Sequence, residues 1–295
     1  MMRLEWWEKV KEKVKSLSKF NKFFEEVKSL LRKPELLFLP GQLAFSLVFS
    51  IIPALSLLSA FASKFNVSLD FIYIFVEKTF SVHTAEYIVN MFATQELTFT
   101  NILVIIIALV IASNGFNAVI ISADQMYGLK PTEPIKRRIK SFFLTAFFFV
   151  LLLFILIVPV FGNTIVALVS KVIHITSLIE VLGDIFTILK WPITVFLIIL
   201  FIKLIYTLAP DKVIPSKFIN RGSIFTTFGF SIVTVIYAFY VNNIARYDMY
   251  YGNFSNLIIL LLWLYLMSYI FVFGLALNEK GYKDYIKKQR KKSDE

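Results

Sequence analysis

Six stretches of predominantly apolar residues constrain this chain more than any other feature. At about 1.5 Å of helical rise per residue, each is long enough to cross a hydrocarbon layer of about 30 Å. They lie near 42–63, 101–123, 141–161, 185–208, 222–243 and 256–278. Lipid offers a backbone no water to bond with, so a single segment of this length crosses it as a helix that satisfies its own N–H and C=O groups. The sequence therefore predicts an all-α polytopic membrane protein with six transmembrane helices, which accounts for 58% hydrophobic residues in a chain of 295. The fourth stretch is the least uniform, because it holds Lys190, Pro192 and Lys203. Pro192 suits a first helical turn, and Lys203 is near enough to the end at Tyr206 to extend its ammonium to the interface.

Orientation follows from where the positive charges lie, since cytoplasmic connections retain Lys and Arg. The segment before the first span carries 10, the second-to-third connection 5, the fourth-to-fifth 3 and the tail 7. The other three connections carry 2, 1 and 1. This asymmetry predicts that both termini are cytoplasmic. It also gives the net charge of +11 a reading other than nucleic acid, because the cations flank apolar spans. No cleavable leader is expected, as the first 40 residues are charged and helix-patterned. Trp7, Val10, Val14, Leu17, Phe24, Val27 and Leu31 recur there at steps of three, four and seven. Residues 1–40 thus read as an amphipathic cytoplasmic arm, 41–279 as the transmembrane domain and 280–295 as a basic cytoplasmic tail. The arm either lies on the inner leaflet, drawn to anionic headgroups, or binds a partner. The long 64–100 connection, with its apolar clusters, is expected to form short helices over the outer face.

Polar side chains are expensive in hydrocarbon, so their alignment carries information. The fifth span has Ser223, Thr227, Ser231, Thr234, Ala238 and Asn242 on one face; the first repeats the device with Gln42, Ser46, Ser50, Pro53, Ser56 and Ala60. The second has Ala108, Ala112, Gly115 and Ser122, flanked by Asn114 and Asn117. These stripes fit either close packing or a polar groove between helices 1, 2 and 5 that takes a substrate. Asp124, at the end of the second span where the helix dipole disfavours an anion, calls for a partner among Lys136, Arg137 and Arg138. Arg246 and Asp248, set among tyrosines in an outer turn, are candidates for a gate or an aromatic belt. Tyr-x-Leu-x-Pro occurs at both Tyr127–Pro131 and Tyr206–Pro210, as a duplicated hairpin or as an interfacial Tyr followed by a helix-stopping Pro. Nothing points to an enzyme. There is no Cys, the two histidines, His83 and His174, lack metal-ligand spacing, and no phosphate-binding loop is present. Neither metal nor cofactor is expected.

Several segments in order resemble the YihY/BrkB family of bacterial inner-membrane proteins. They are Gly41-Gln-Leu-Ala-Phe-Ser-Leu-Val-Phe-Ser-Ile-Ile-Pro53, Asn114-Gly-Phe-Asn117 with Asp124-Gln-Met-Tyr127, Arg137-Arg138, Pro210 and Pro215 before Arg221-Gly222, Tyr251-Gly252 before Leu262-Trp263-Leu-Tyr265, and Gly274-Leu-Ala-Leu-Asn278. The chain departs from the family's Gly-Ala-Glu-Leu-Asn pattern, with Ala276 where an acid is common. Family members were once labelled ribonuclease BN, a label regarded as mistaken. The resemblance implies a six-helix protein of the bacterial cytoplasmic (inner) membrane, suspected of transport or lipid export. Two functions follow as expectations. One is a transporter or flippase-like protein moving a polar or anionic-headgroup substrate, with membrane lipids as partners and no nucleic acid. The other is a non-transporting scaffold for envelope integrity. Self-association as a homo-oligomer is compatible with both.

The Cys-free background allows the topology to be tested directly. Single cysteines at Ser68 and Asn253 should react with a membrane-impermeant thiol reagent on intact cells, whereas those at Thr132 and Ser216 should stay unlabelled. Labelling of the second pair would invert the topology.

Overall fold

The computed structural model describes residues 25, 27–64, 99–130, 133–150, 192–193, 195–243 and 255–293, with isolated positions at 70, 73, 74, 77, 82, 85 and 86. Among them the regular elements are helices and no strand occurs. In chain order these are α1 (Glu35–Lys64), α2 (Phe99–Tyr127), α3 (134–150), α4 (Val195–Leu208), α5 (Ser216–Asn243) and α6 (Ser255–Ser293). Four helices contain windows long and apolar enough to cross a membrane: Glu35–Leu57, Leu103–Tyr127, Ser216–Tyr240 and Leu257–Lys291. α4 is apolar but shorter. Most of the arm (1–24) lies outside the described residues, as do most of the 64–100 connection and residues 151–191.

Two boundaries differ from the sequence expectation. α1 begins at Glu35 and runs through Pro40, because Leu36, Leu39 and Leu43 on one face are buried in the main core. Proline in a helix interior costs about 3 kcal/mol, and burying a Leu contributes about 1.5–3 kcal/mol, so packing outweighs the lost hydrogen bond. α6 does not stop near 278 but continues to Ser293. Nothing in 279–293 halts it, and the extension is held on its inner side by Phe218, whose ring lies 5.7 Å from that of Tyr282 and 5.0 Å from that of Tyr285. The end of the N-terminal arm also packs inward, with Leu30 buried and Val27 against the same core.

α2 ends where the sequence supplies a turn residue. Gly128 has φ 65°, a conformation that glycine adopts at no cost. The N–H of Leu129 donates to Asp124 O at 2.8 Å and that of Gly128 to Gln125 O at 3.0 Å, the paired bonds of a Schellman cap. α3 then returns between α2 and α4, its Phe148 ring 5.6 Å from that of Phe116 and 5.5 Å from that of Phe201.

α6 is the hub. It packs against α1, α2 and α5, and α1 and α2 pack against each other. Residues 271–279 of α6 are buried throughout. Its closest neighbour is α5, where Gly222 faces Gly274 and Asn278, and Gly229 faces Ile270. A Cβ on Gly222 would overlap the Gly274 carbonyl, and one on Gly274 would overlap Thr226 and Tyr206. Tyr206 of α4 closes this junction: its hydroxyl donates to Phe271 O at 2.8 Å and lies 2.6 Å from Thr226 Oγ1, which is left to donate to it.

Gly222→Ala and Gly274→Ala should each lower the unfolding midpoint of the purified protein, since overpacking of this kind costs about 1–3 kcal/mol. Gly281→Ala, with open space around it, should be neutral or slightly stabilising, because alanine is favoured over glycine in a helix interior by about 0.5–1 kcal/mol. Wild-type melting of Gly274→Ala would show that the helices can separate without cost.

Candidate functional site

The small and polar stripes are placed in different surroundings. On α1, Gln42 is exposed, Ser46 half-buried and Ser50 buried. Ser50 Oγ donates to Ser46 O at 2.7 Å and also reaches Ile111 O of α2 at 3.5 Å. Gly115 sits opposite, where a Cβ would meet Leu47 and Ser50 at 3.2 Å, so this part of the α1 and α2 stripes forms a contact seam. On α5, Ser223, Thr227 and Ser231 donate to the carbonyls four residues earlier, at 2.9, 2.9 and 3.0 Å. The first two are buried against the bundle, and Ser231 and Thr234 are exposed. Thr234 Oγ1 accepts a bond from Trp263 Nε1 at 3.3 Å. Because α5 packs chiefly on α6 rather than on α1 or α2, the three stripes are not gathered into one groove. The Asn242 side chain lies outside the described residues, as do Arg246 and Asp248.

The polar residues that do converge come from α2, α3 and the α4–α5 loop. Asp124 is buried, but its partner differs from the expected one: Oδ1 accepts the backbone N–H of Asp211 at 2.8 Å. Asp211 in turn pairs with Lys140, whose ammonium also donates to Ala209 O at 2.8 Å and Pro210 O at 3.0 Å. The exits of α2 and α4 are thereby latched to the start of α3. Lys136 pairs with the exposed Glu133, at 3.1 Å. The arginines point elsewhere because α3 runs back along α2. Arg137 Nε donates to Asn117 Oδ1 at 3.1 Å, and Arg138 Nη1 to Asn114 Oδ1 at 2.6 Å. Nη2 of Arg138 donates to Val110 O, and its guanidinium lies 5.1 Å from the centre of the Phe142 ring. The four residues singled out separately in the sequence thus form two amide–guanidinium pairs.

Two sets of contacts in the site were not read from the sequence. Glu279 is buried and pairs with both Lys33 and Lys283, and Lys280 Nζ donates to Ser29 Oγ at 3.0 Å. The spacing from Glu279 to Lys283 is an i,i+4 signal, but the reach to Lys33 is purely tertiary. Glu279 stands one turn beyond Ala276, so a carboxylate is present near the position where the family pattern carries one. Tyr127 and Tyr206 of the repeated motif are both buried in protein. Among the described residues no group of three or more His, Cys, Asp or Glu could hold a metal ion. His83 and His174 lie outside them.

Long apolar helices joined by basic segments define the class: this is a helical integral membrane protein. The chain belongs to the family described as Virulence factor BrkB, whose model matches residues 30–295. It is 31% identical over 175 residues to the Bacillus subtilis protein YfkH, whose name calls it ribonuclease-like, a match covering 59% of this chain and 62% of that protein. The aligned region therefore spans less than two thirds of that relative. A UPF0761 membrane protein of Pseudomonas aeruginosa is 32% identical over 74 residues, 25% of this chain and 18% of the relative. One of Chromobacterium violaceum is 27% identical over 81 residues, 28% and 19%. No solved structure matches.

Glu279→Gln should lower stability by on the order of 2 kcal/mol, below the roughly 3–5 kcal/mol of breaking a fully buried pair, because Lys33 is 25% exposed. Lys283→Met, at an exposed position, should cost about 0–1 kcal/mol. Equal unfolding midpoints for the two variants would show that Glu279 does not tie the arm to α6.

Proposed function

We propose that the chain is a transporter or flippase-like protein of the bacterial cytoplasmic (inner) membrane, crossing it six times with both termini inside and moving a substrate with a polar or anionic headgroup. The observation that carries this reading is Arg138. At about 1.5 Å per residue, the Val110 carbonyl it binds lies about 25 Å from the Tyr127 end of α2, well within the apolar window Leu103–Tyr127. A guanidinium held against an apolar span is costly, and groups of this kind mark substrate paths and relays. Arg138 is half-buried, Asn114 is exposed and Asn117 is half-buried, so the amide–guanidinium pairs offer donors to a passing headgroup. The path follows α2 and α3 rather than a groove between α1, α2 and α5.

A second feature supports a lipid-like substrate. Ile139, Phe143, Leu144 and Phe147 of α3 and Leu208 of α4 wall a furrow of about 580 Å³ with Lys136 and Lys140 at one end. Apolar walls suit an acyl chain, and the two lysines, held in ion pairs by Glu133 and Asp211, give the furrow a polar end that suits a headgroup. Membrane lipids are then the partners, and neither nucleic acid nor a cofactor is required. The closed α1–α2 seam at Gly115 favours the scaffold reading, which becomes the conclusion if transport fails.

In vesicles holding fluorescent phosphatidylglycerol, the reconstituted protein should speed exchange of the lipid between leaflets, read as bleaching by an impermeant reductant. Arg138→Gln and Asn114→Leu should each slow it by about tenfold, equivalent to about 1.4 kcal/mol in the barrier. Wild-type exchange no faster than in protein-free vesicles, or an unimpaired Arg138→Gln, would sink the proposal.

A further inference from the structure

The extension of α6 beyond Asn278 carries Lys283, Lys287 and Arg290 at steps of four and three, which puts three cations on one helix face. That face closes on the end of α2 and on the α4–α5 loop, which contributes Lys212. Between them is a cavity of about 280 Å³ lined by these four cations with Tyr127, Tyr282 and Ile286, and by no carboxylate. Lys283 is paired on one side with Glu279, and the Lys212 ammonium lies 5.0 Å from the Tyr282 ring centre. Among the described residues Lys212, Lys287 and Arg290 pair with no acidic group. Cations that converge without a counter-charge repel one another, and an anion between them relieves that repulsion.

An independent feature points the same way. Tyr127 is only 7% exposed, yet its hydroxyl has no hydrogen-bond partner among the described residues. A buried hydroxyl left unpaired costs about 1–3 kcal/mol, and this one belongs to a residue that lines the basic cavity. The cavity is held in place, since Glu279 ties the base of the extension to Lys33 and Phe218 packs under Tyr282 and Tyr285.

We infer that this cavity is a binding site for a phosphate-bearing anion, either the phosphate of a lipid headgroup or a free phosphate compound. An arginine fork and ammonium groups match the several acceptor oxygens and multiple charge of a phosphate, and the Tyr127 O–H, enclosed at rest, would turn to it as a neutral donor. At about 30 Å³ per water, the volume is that of about nine waters, enough for a diphosphate group. The site is separate from Arg138 and stands whether or not the α2–α3 face conducts a substrate.

The test uses the full-length protein in phosphatidylcholine nanodiscs, with inorganic pyrophosphate titrated by calorimetry. In a second arm, mass spectrometry measures phosphatidic acid retained over phosphatidylcholine after detergent exchange. Binding in the first arm assigns a soluble source, and retention in the second a lipid source. In whichever arm the wild type binds, Lys287→Gln/Arg290→Gln should weaken binding at least tenfold, and Tyr127→Phe several-fold with the charge unchanged. Lys288→Gln/Lys291→Gln makes the same charge change at positions that do not line the cavity and should have little effect. The substituted Lys and Arg are exposed, and Tyr127→Phe removes an unpaired hydroxyl, so melting should stay at or above the wild-type value. Absence of binding in both arms, equal weakening by the control pair, or wild-type binding by Tyr127→Phe would overturn the inference.

Discussion

The approach of Gly222 to Gly274 sets the distance between α5 and α6, and the rest of the bundle is arranged around that contact. Helices in lipid gain nothing from excluding water between them, so association rests on van der Waals contact and on polar groups that bond across the interface. Two glycines bring the backbones together, Asn278 Oδ1 accepts the Gly222 N–H at 2.8 Å, and Tyr206 joins α4 to both partners through Thr226 and the Phe271 carbonyl. With α5 and α4 seated, the remaining sides of α6 are free for α1 and α2, which accounts for the continuous burial of residues 271–279.

Charge is then sorted by depth and by partner. Where α2 and α4 end, Asp124, Asp211 and Lys140 form a chain that needs one backbone N–H and two carbonyls to be complete. This latch fixes the start of α3 and so the register in which Arg137 and Arg138 meet Asn117 and Asn114. Further along, Glu279 pairs with Lys33 and Lys283 and offsets one of their two charges, and among the described residues Lys287 and Arg290 beyond it pair with no acidic group. One carboxylate therefore both anchors the arm to α6 and marks where the unbalanced positive field begins.

Family membership sharpens the meaning of these arrangements. The motifs that carry the resemblance fall largely on the residues that hold the bundle: Gly222, Gly274 and Asn278 at the α5–α6 contact, Asp124 in the latch, and Asn114, Asn117, Arg137 and Arg138 in the amide–guanidinium pairs. The substitution at Ala276 does not remove the carboxylate from this part of the fold, because Glu279 supplies one a turn later.

Membrane character and helical class were legible from apolar length alone, because lipid leaves a single segment of some 20 residues little choice but a helix. The resemblance to the family was legible in the order of short motifs. The sequence also identified Asn114, Asn117, Arg137, Arg138 and Asp124 as special, since polar groups near apolar spans are costly wherever they occur. It could not say how they pair: a guanidinium reaches several ångströms in any direction, and only the antiparallel path of α3 decides that Arg138 meets Asn114 and that Asp124 is left to the Asp211 backbone. The stripe on α5 stayed open between packing and a groove for a related reason. A hydroxyl that bonds to the carbonyl four residues back gives the same periodic pattern as one that faces a groove, and only the packing of α5 on α6 separates the two. The reach from Glu279 to Lys33, and the gathering of Tyr127, Lys212 and the α6 cations round one cavity, join residues distant in sequence. Helical periodicity carries no information about such contacts, and the tertiary structure alone decided them.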